Sequence, residues 1–215
     1  MDEGFTVVVP SPFGVPGKDM SVGYVLRVIS RLCVSAEFRA FATNAHRPIS
    51  DYLRAVARDL AARTPGPGVG VIGMCFTGGF ALAAAVDDVV LAPVLSQPSV
   101  PFSLGAARRA DVGMSPAELD RVVERTTESN LCVLGMRFSE DGLAPRDRFA
   151  ALTEKLGDAF EVIELDSSPG NAAGFKKSAH SVVTGEVRET PGHPALLARE
   201  RMVEFLRKQL TTDPA

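Results

Sequence analysis

Residues 69–86 read VGVIGMCFTGGFALAAAV, and this stretch decides the fold class of the chain. Its first five residues are apolar or glycine, and three of them are β-branched, which predicts a buried strand ending at Gly73. Cys75 follows in a turn, and Gly78 and Gly79 then allow a helix of small residues to begin close to the strand. A strand, a sharp turn and a helix in this order indicate an α/β protein.

The same region raises the possibility of a membrane span. No residue from Thr64 to Val86 is charged, and this length is enough to cross a bilayer. However, Pro65 and Pro67 open the run and several glycines interrupt it, and each glycine costs a helix interior about 1 kcal/mol. We therefore expect neither a membrane span nor a membrane partner.

The whole chain has the composition of a globular protein. It contains 215 residues, of which 46% are hydrophobic and 23% are charged. This is enough to bury a core in one domain covering residues 1–215. The net charge of −3 and the pI near 5.7 leave no broad cationic surface, so we expect no nucleic-acid partner. We expect a monomer or a homodimer.

Three cysteines, Cys33, Cys75 and Cys132, are spread widely along the chain. An odd number at this spacing suits neither a disulfide framework nor a zinc site and is typical of a reducing compartment. The first residues, MDEGFTVVVP, carry two acids where a secretory signal carries basic residues. We therefore expect a cytoplasmic protein without a metal ion.

Short β-rich runs alternate with amphipathic helical patterns. Strands are predicted at residues 5–9, 37–42, 69–73, 89–95, 131–138 and 161–166. One helix is predicted with Val22, Val25, Leu26, Ile29 and Leu32 on its apolar face. Others are predicted after the N-cap residues Ser50 and Ser115, and around residues 149–156 and 198–210. This alternation predicts a mostly parallel sheet with helices on both faces, with the chemistry at the carboxyl ends of the strands.

The turn at residues 73–77, GMCFT, matches the nucleophile elbow G-x-S-x-G with cysteine in place of serine. Thr77 stands where the pattern has its last glycine, but Gly78 follows directly. A nucleophile in this position needs small neighbours, and the start of a helix stabilises its thiolate. A free cysteine is otherwise often a small buried apolar residue, which is our interpretation of Cys33 and Cys132. The flanking glycines favour Cys75 as a nucleophile.

A cysteine nucleophile needs a base, and the base needs a carboxylate to orient it. His180 lies in a Ser-, Pro- and Gly-rich loop after a predicted strand and is the preferred base. His46 and His193 lie next to or just before prolines, and we interpret both as solvated loop residues. Asp141 is the preferred acid because it closely follows the strand at residues 131–138. Three rival acids remain open at this point: Glu140, Asp147 and Asp166.

Four motifs make the chain resemble the dienelactone hydrolase family of α/β-hydrolases. They are GMCFTGG at residues 73–79, EDGLAP at 140–145, AHSVVT at 179–184 and ALLARERMVEFL at 195–206. The resemblance implies that Cys75, Asp141 and His180 form the triad, in the chain order of this fold. It also implies an α/β-hydrolase-like three-layer sandwich with a mostly parallel sheet of about six to seven strands and helices on both faces.

The loop after the first predicted strand departs from the family. The family has His-Glu-x-Phe-Gly there, and this chain has Pro-Ser-Pro-Phe-Gly at residues 10–14. Ser11 takes the place of the glutamate, and Pro12 takes the place of an oxyanion-binding amide although proline has no N–H. The amide of Phe76 remains available, and the amide of Phe13 is the candidate substitute. Loss of one such donor typically costs about 2.7 to 4 kcal/mol in the transition state.

The family's substrate-binding arginine, four residues beyond the histidine, is replaced by Thr184. Lys176 and Lys177 are the nearest alternative cations, and we expect both to be solvated. The sequence thus predicts a cysteine-dependent hydrolase of a small-molecule ester, lactone or thioester, without a cofactor. The altered residues 10–12 leave an alternative: a hydrolase-like fold used for cyclisation, isomerisation or ligand binding.

Overall fold

The computed structural model describes residues 3–15, 19 and 21–211. Its helices and strands alternate as the sequence predicts for an α/β protein. In chain order they are α1 (Val22–Val34), α2 (Ile49–Arg63), β1 (Val69–Met74), α3 (Gly78–Ala84), β2 (Val90–Ser96), α4 (Ala106–Ala110), α5 (Pro116–Glu128), β3 (Val133–Phe138), α6 (Arg146–Leu156), β4 (Phe160–Leu165) and α7 (Pro194–Leu210).

The four strands form one parallel sheet in the order β1-β2-β3-β4. Met74 at the end of β1 pairs with Ser96 at the end of β2, and Ser96 pairs with Met136 of β3. The carboxyl ends of these strands therefore meet at one edge, where the loops that follow them can bring their side chains together.

Apolar cores lie on both faces of the sheet. On one face, Leu82 of α3, Val122 of α5 and Leu152 of α6 are fully buried in the same cluster. On the other face, Phe205 and Leu206 of α7 pack in a second cluster with residues of β2, β3 and β4. This burial on both faces explains why the strands are almost continuously apolar.

The expectation of about six to seven strands is wrong for the described residues, which form a four-stranded sheet. Residues 5–9 lie outside it, with Val7 and Val9 exposed at 76% and 85%. Residues 37–42 form turns, since Arg39 has a φ of +45° that breaks a strand. Both runs have β-rich composition, but strand formation depends on partners and burial that composition does not supply.

Two helix predictions also need correction. In α1, Leu26 and Ile29 of the predicted apolar face are exposed, while Leu32 is buried; the side chains of Val22 and Val25 lie outside the described part of the chain. Helix α2 begins at Ile49 with Pro48 as its N-cap, so Ser50 lies in the first turn.

The N-terminus of α5 agrees with its prediction. The Oγ of Ser115 accepts a hydrogen bond from the Glu118 amide, and the Glu118 carboxylate accepts one from the Ser115 amide. In the described ranges, every helix falls short of the length and apolar character that crossing a membrane requires.

Candidate active site

A tight turn after β1 presents Cys75 at the carboxyl edge of the sheet. Cys75 has a φ of +52°, in the left-handed region that residues other than glycine seldom adopt. A Cβ on Gly73 would lie 2.3 Å from the carbonyl oxygen of Thr77, and one on Gly78 would lie 2.5 Å from the Cα of Pro98. Both glycines are therefore needed for the close approach of strand, helix and neighbouring loop.

Thr77, which replaces the last glycine of the elbow pattern, stabilises this turn. Its hydroxyl donates to the carbonyl of Met74 at 2.9 Å and accepts a hydrogen bond from the amide of Met74 at 3.0 Å. The departure from the pattern therefore has a local structural reason, because the threonine side chain closes the turn on itself.

His180 and Asp141 lie together in loops that follow β4 and β3. The Nδ1 of His180 is 2.7 Å from Oδ2 of Asp141. The other carboxylate oxygen accepts hydrogen bonds from the amides of Leu143 and Ala144. Because the backbone fixes the carboxylate, Asp141 can orient the imidazole and hold a proton on its Nδ1.

The three residues predicted as a triad meet around the sulfur of Cys75. His180 and the amide of Phe76 both lie close enough to the sulfur to lower the pKa of the thiol. Cys75 is only partly buried, so part of the residue is accessible to solvent. The arrangement thus places nucleophile, base and acid in that order, with one backbone amide near the nucleophile.

A fourth side chain, Ser99, lies between the thiol and the imidazole. Its Oγ is 3.6 Å from the sulfur of Cys75 and 3.4 Å from Nε2 of His180. Its amide donates to the carbonyl of Cys75 at 3.0 Å, and the residue is 2% exposed. Ser99 is therefore held in place by the nucleophile turn itself.

These contacts favour a thiolate and an imidazolium. Burial raises the pKa of the Cys75 thiol, but the hydrogen bonds from His180, Ser99 and the Phe76 amide, with the charge on His180, outweigh it and lower the pKa. Burial lowers the pKa of His180, but Asp141 and Cys75 outweigh it and raise the pKa to about 10. Between these two pKa values the two groups form an ion pair.

The rival acids and histidines lie elsewhere. The carboxylate of Asp147 pairs with Arg109, that of Glu140 lies 3.8 Å from the ammonium of Lys177, and that of Asp166 accepts from the Ser168 amide. The structure therefore places Asp141, and not one of its rivals, against His180.

The other two histidines lie in loops and are partly exposed, but each also makes specific contacts. The ring of His46 lies between the carboxylates of Glu118 at 2.7 Å and Asp51 at 3.0 Å. The ring of His193 packs edge-on against Phe175, and its Nδ1 is buried. The flanking prolines predict loops but not these contacts, because Glu118 and Phe175 are distant in sequence from His46 and His193.

Of the predicted oxyanion and substrate-binding residues, Phe76 and Phe13 come together. Their rings meet edge to face with centroids 5.8 Å apart. The hydroxyl of Ser11 is exposed and donates to the carbonyl of Phe13 at 3.4 Å. The two rings thus belong to an aromatic cluster next to the nucleophile turn, in which Phe38, Phe80 and Phe102 surround Phe76.

Sequence reasoning missed Ser99 and its neighbour Gln97. Gln97 is buried, with a φ of +38°, and its side-chain oxygen accepts from the amide of Val182, two residues beyond His180. It therefore links the loop after β2 to the loop that carries the base. The available signal was the polar run SQPS at residues 96–99, which directly follows a buried strand at the carboxyl edge.

The side chains that could bind an ion or a charged substrate are few near the thiol. Thr184 is exposed, and so are Lys176 and Lys177. Among the described residues, no three histidine, cysteine, aspartate or glutamate side chains lie close enough to hold a metal ion. The described site thus offers a thiolate nucleophile and an imidazolium that can donate a proton.

Comparison with models of known protein families and with curated proteins gives no match to this chain. The case for its function therefore comes from its own residues and their geometry.

Proposed function

We propose that this chain is a cysteine-dependent hydrolase of esters, lactones or thioesters, and a divergent member of the dienelactone hydrolase family. The observation that carries the proposal is the grouping of Asp141, His180 and Cys75 on a nucleophile turn with positive φ. The Asp141 carboxylate lies 2.7 Å from Nδ1 of His180, and the Ser99 hydroxyl lies 3.4 Å from Nε2 and 3.6 Å from the sulfur. A structural cysteine requires neither the strained turn nor the fixed imidazole.

In the proposed acylation, the Cys75 thiolate attacks the carbonyl carbon and a carbon–sulfur bond forms. The carbonyl electron pair moves to oxygen, where the amide of Phe76 donates a hydrogen bond. When the oxyanion collapses, the bond to the leaving group breaks, and the leaving alkoxide or thiolate takes a proton from the His180 imidazolium. Asp141 keeps the ring oriented throughout.

Deacylation follows the same route with water. His180, now neutral, accepts a proton from water as the water oxygen attacks the thioester carbonyl. Collapse of the second oxyanion releases the carboxylic acid and returns Cys75 to the thiolate and His180 to the imidazolium. No cofactor enters either step.

The test is acylation by a small activated ester, p-nitrophenyl acetate, followed by peptide mass mapping. We expect a mass increase of one acetyl group on the peptide that holds residues 73–79, lost in Cys75→Ala. Cys33→Ser and Cys132→Ser are matched controls that should keep the adduct. Release of p-nitrophenol at the same rate from Cys75→Ala, or an adduct located only at another residue, would rule out the proposal.

One observation favours a second candidate function. Pro12 stands where the family has an amide that helps to bind the oxyanion, and proline supplies no donor. A site with a weak oxyanion hole suits cyclisation or isomerisation of a bound molecule, or ligand binding alone. In that case Cys75→Ala would retain ligand binding or turnover, whereas hydrolysis through a thioester requires the sulfur.

A further inference from the structure

A cavity of about 530 Å³ lies between α1, the loop at residues 13–15 and the turn that carries Phe38. Its apolar wall includes Phe13, Phe38, Val28 and Leu32, which belong to one apolar cluster. A wall of this composition accommodates an alkyl or aromatic group and excludes water from it.

Two arginines, Arg27 and Arg31, line the same cavity from the exposed side of α1. They are four residues apart on the helix and therefore lie on the same side of it. Helix α1 carries no acidic residue, and none of the ion pairs among the described residues includes either arginine. The cavity thus has an apolar wall and a cationic opening.

The apolar wall continues to the nucleophile. The ring of Phe76, the residue after Cys75, contacts the ring of Phe38 at a centroid distance of 5.4 Å and that of Phe13 at 5.8 Å. Phe13 and Phe38 also contact each other at 5.9 Å. The cavity wall is therefore linked through one ring, that of Phe76, to the turn that carries the sulfur.

We propose that the cavity binds the apolar chain of the substrate and that Arg27 and Arg31 bind an anionic group at the far end of that chain. The substrate class is an ester or thioester of a long, apolar acid with a terminal carboxylate. Guanidinium groups match a carboxylate in shape and charge, and an apolar chain matches the apolar wall of the cavity. This inference rests on the proposed hydrolysis, because only a hydrolase would act on the bound molecule as a substrate. The binding site itself can be tested without turnover.

The binding test uses octanoate and 1-octanol, which share a chain length and differ in charge. We expect calorimetric titration of the intact protein to show octanoate binding about tenfold more tightly at low salt, with the advantage shrinking as salt is added. Arg27→Gln with Arg31→Gln should remove that advantage and leave octanol binding unchanged. Lys155→Gln with Lys208→Gln removes the same charge from exposed positions elsewhere and should leave it intact.

A third variant, Val28→Phe, fills the cavity and should weaken both ligands. Equal affinity for octanoate and octanol, no binding of octanoate, or no effect of the double arginine variant beyond that of the lysine control would overturn the inference. These failures are distinct from failure of the proposed function. Acylation of Cys75 by p-nitrophenyl acetate needs no cavity, and octanoate binding needs no thiol.

Discussion

Besides Nε2 of the His180 imidazolium at 3.4 Å, which is a donor, the hydroxyl of Ser99 has two acceptors within reach of its one proton. They are the sulfur of Cys75 at 3.6 Å and the carbonyl oxygen of Gln97 at 3.2 Å. A thiolate attracts this proton more strongly than a neutral carbonyl does, because hydrogen bonds to charged groups are stronger. A thioester sulfur is a much weaker acceptor. The hydroxyl therefore stabilises the charged sulfur selectively and can turn to Gln97 once Cys75 is acylated.

Ser99→Ala should raise the pKa of the Cys75 thiol, since one of the hydrogen bonds that lower it is lost. The rate of Cys75 alkylation by iodoacetamide, followed against pH, measures this shift as a movement of its midpoint to higher pH. Ser99→Thr should restore the midpoint because it keeps the hydroxyl. Ser96→Ala, a buried serine whose hydroxyl contacts Gln97, is the control and should leave the midpoint unchanged. An unmoved midpoint in Ser99→Ala would contradict this role.

The imidazolium of His180 should make stability depend on pH. The pKa of His180 is raised from 6.5 to about 10 in the folded chain, so the ring binds a proton more tightly there than in the unfolded chain. Its contribution to the free energy of unfolding is therefore fully present below pH 6.5 and is lost as pH rises through about 10. Cys75, whose pKa is lowered from 9.0, gives up a proton on folding and cancels this dependence up to about pH 9. Urea unfolding from pH 9 to 10 should therefore show a decline that His180→Asn makes shallower. Parallel curves for the two proteins would contradict the ion pair.

At the scale of elements, the turn between β1 and α3 holds the residues whose backbone geometry the site requires, Gly73, Cys75 and Gly78. Strand, glycine, cysteine and helix are consecutive in sequence, and this is why residues 69–86 predict the turn correctly. His180 and Asp141 were also predicted, because each follows a recognisable strand. Ser99 was not, since only the parallel pairing of β1 with β2 brings the loop after β2 beside the sulfur.

Thr77→Val should destabilise this turn, because it removes both hydrogen bonds to Met74 while keeping the side-chain volume. We expect a loss of about 1 to 2 kcal/mol in the free energy of unfolding, measured by urea titration. Thr77→Ser keeps the hydroxyl and is the matched control, so it should lose less. If valine and serine variants were equally stable, the hydroxyl would have no part in holding the turn.

For the whole molecule, the two edges of the sheet differ in character. At β4, Glu161 pairs with Arg201 and Glu164 pairs with Arg137, so charge flanks the exposed Val162. Strand β1 has no charged residue, and Ile72 and Met74 are exposed there at 42% and 40%. Within the described part of the chain, β1 pairs with β2 alone. An uncharged, unpaired edge beside the nucleophile is unusual, because such edges invite association with other strands.

Residues 5–9 explain why the number of strands could not be read from the sequence. Phe5 packs with the core beneath α7, and Phe13 packs against Phe76 after β1, so the segment is anchored at both ends yet adds no strand to the sheet. A run of valines has high strand propensity, but a strand also needs a neighbouring strand to pair with its backbone N–H and C=O groups.

Hydrogen exchange of the backbone amides tests this open edge directly. The amides of β1 that point away from β2 should exchange more than about 100-fold faster than those of β3, which has hydrogen-bonded neighbours on both sides. Amides of β1 that point toward β2 provide the internal control, because they share the strand and its burial. Equal protection on the two sides of β1 would contradict the four-stranded sheet and would mean that another strand, from residues 5–9 or a second copy, covers the edge in solution.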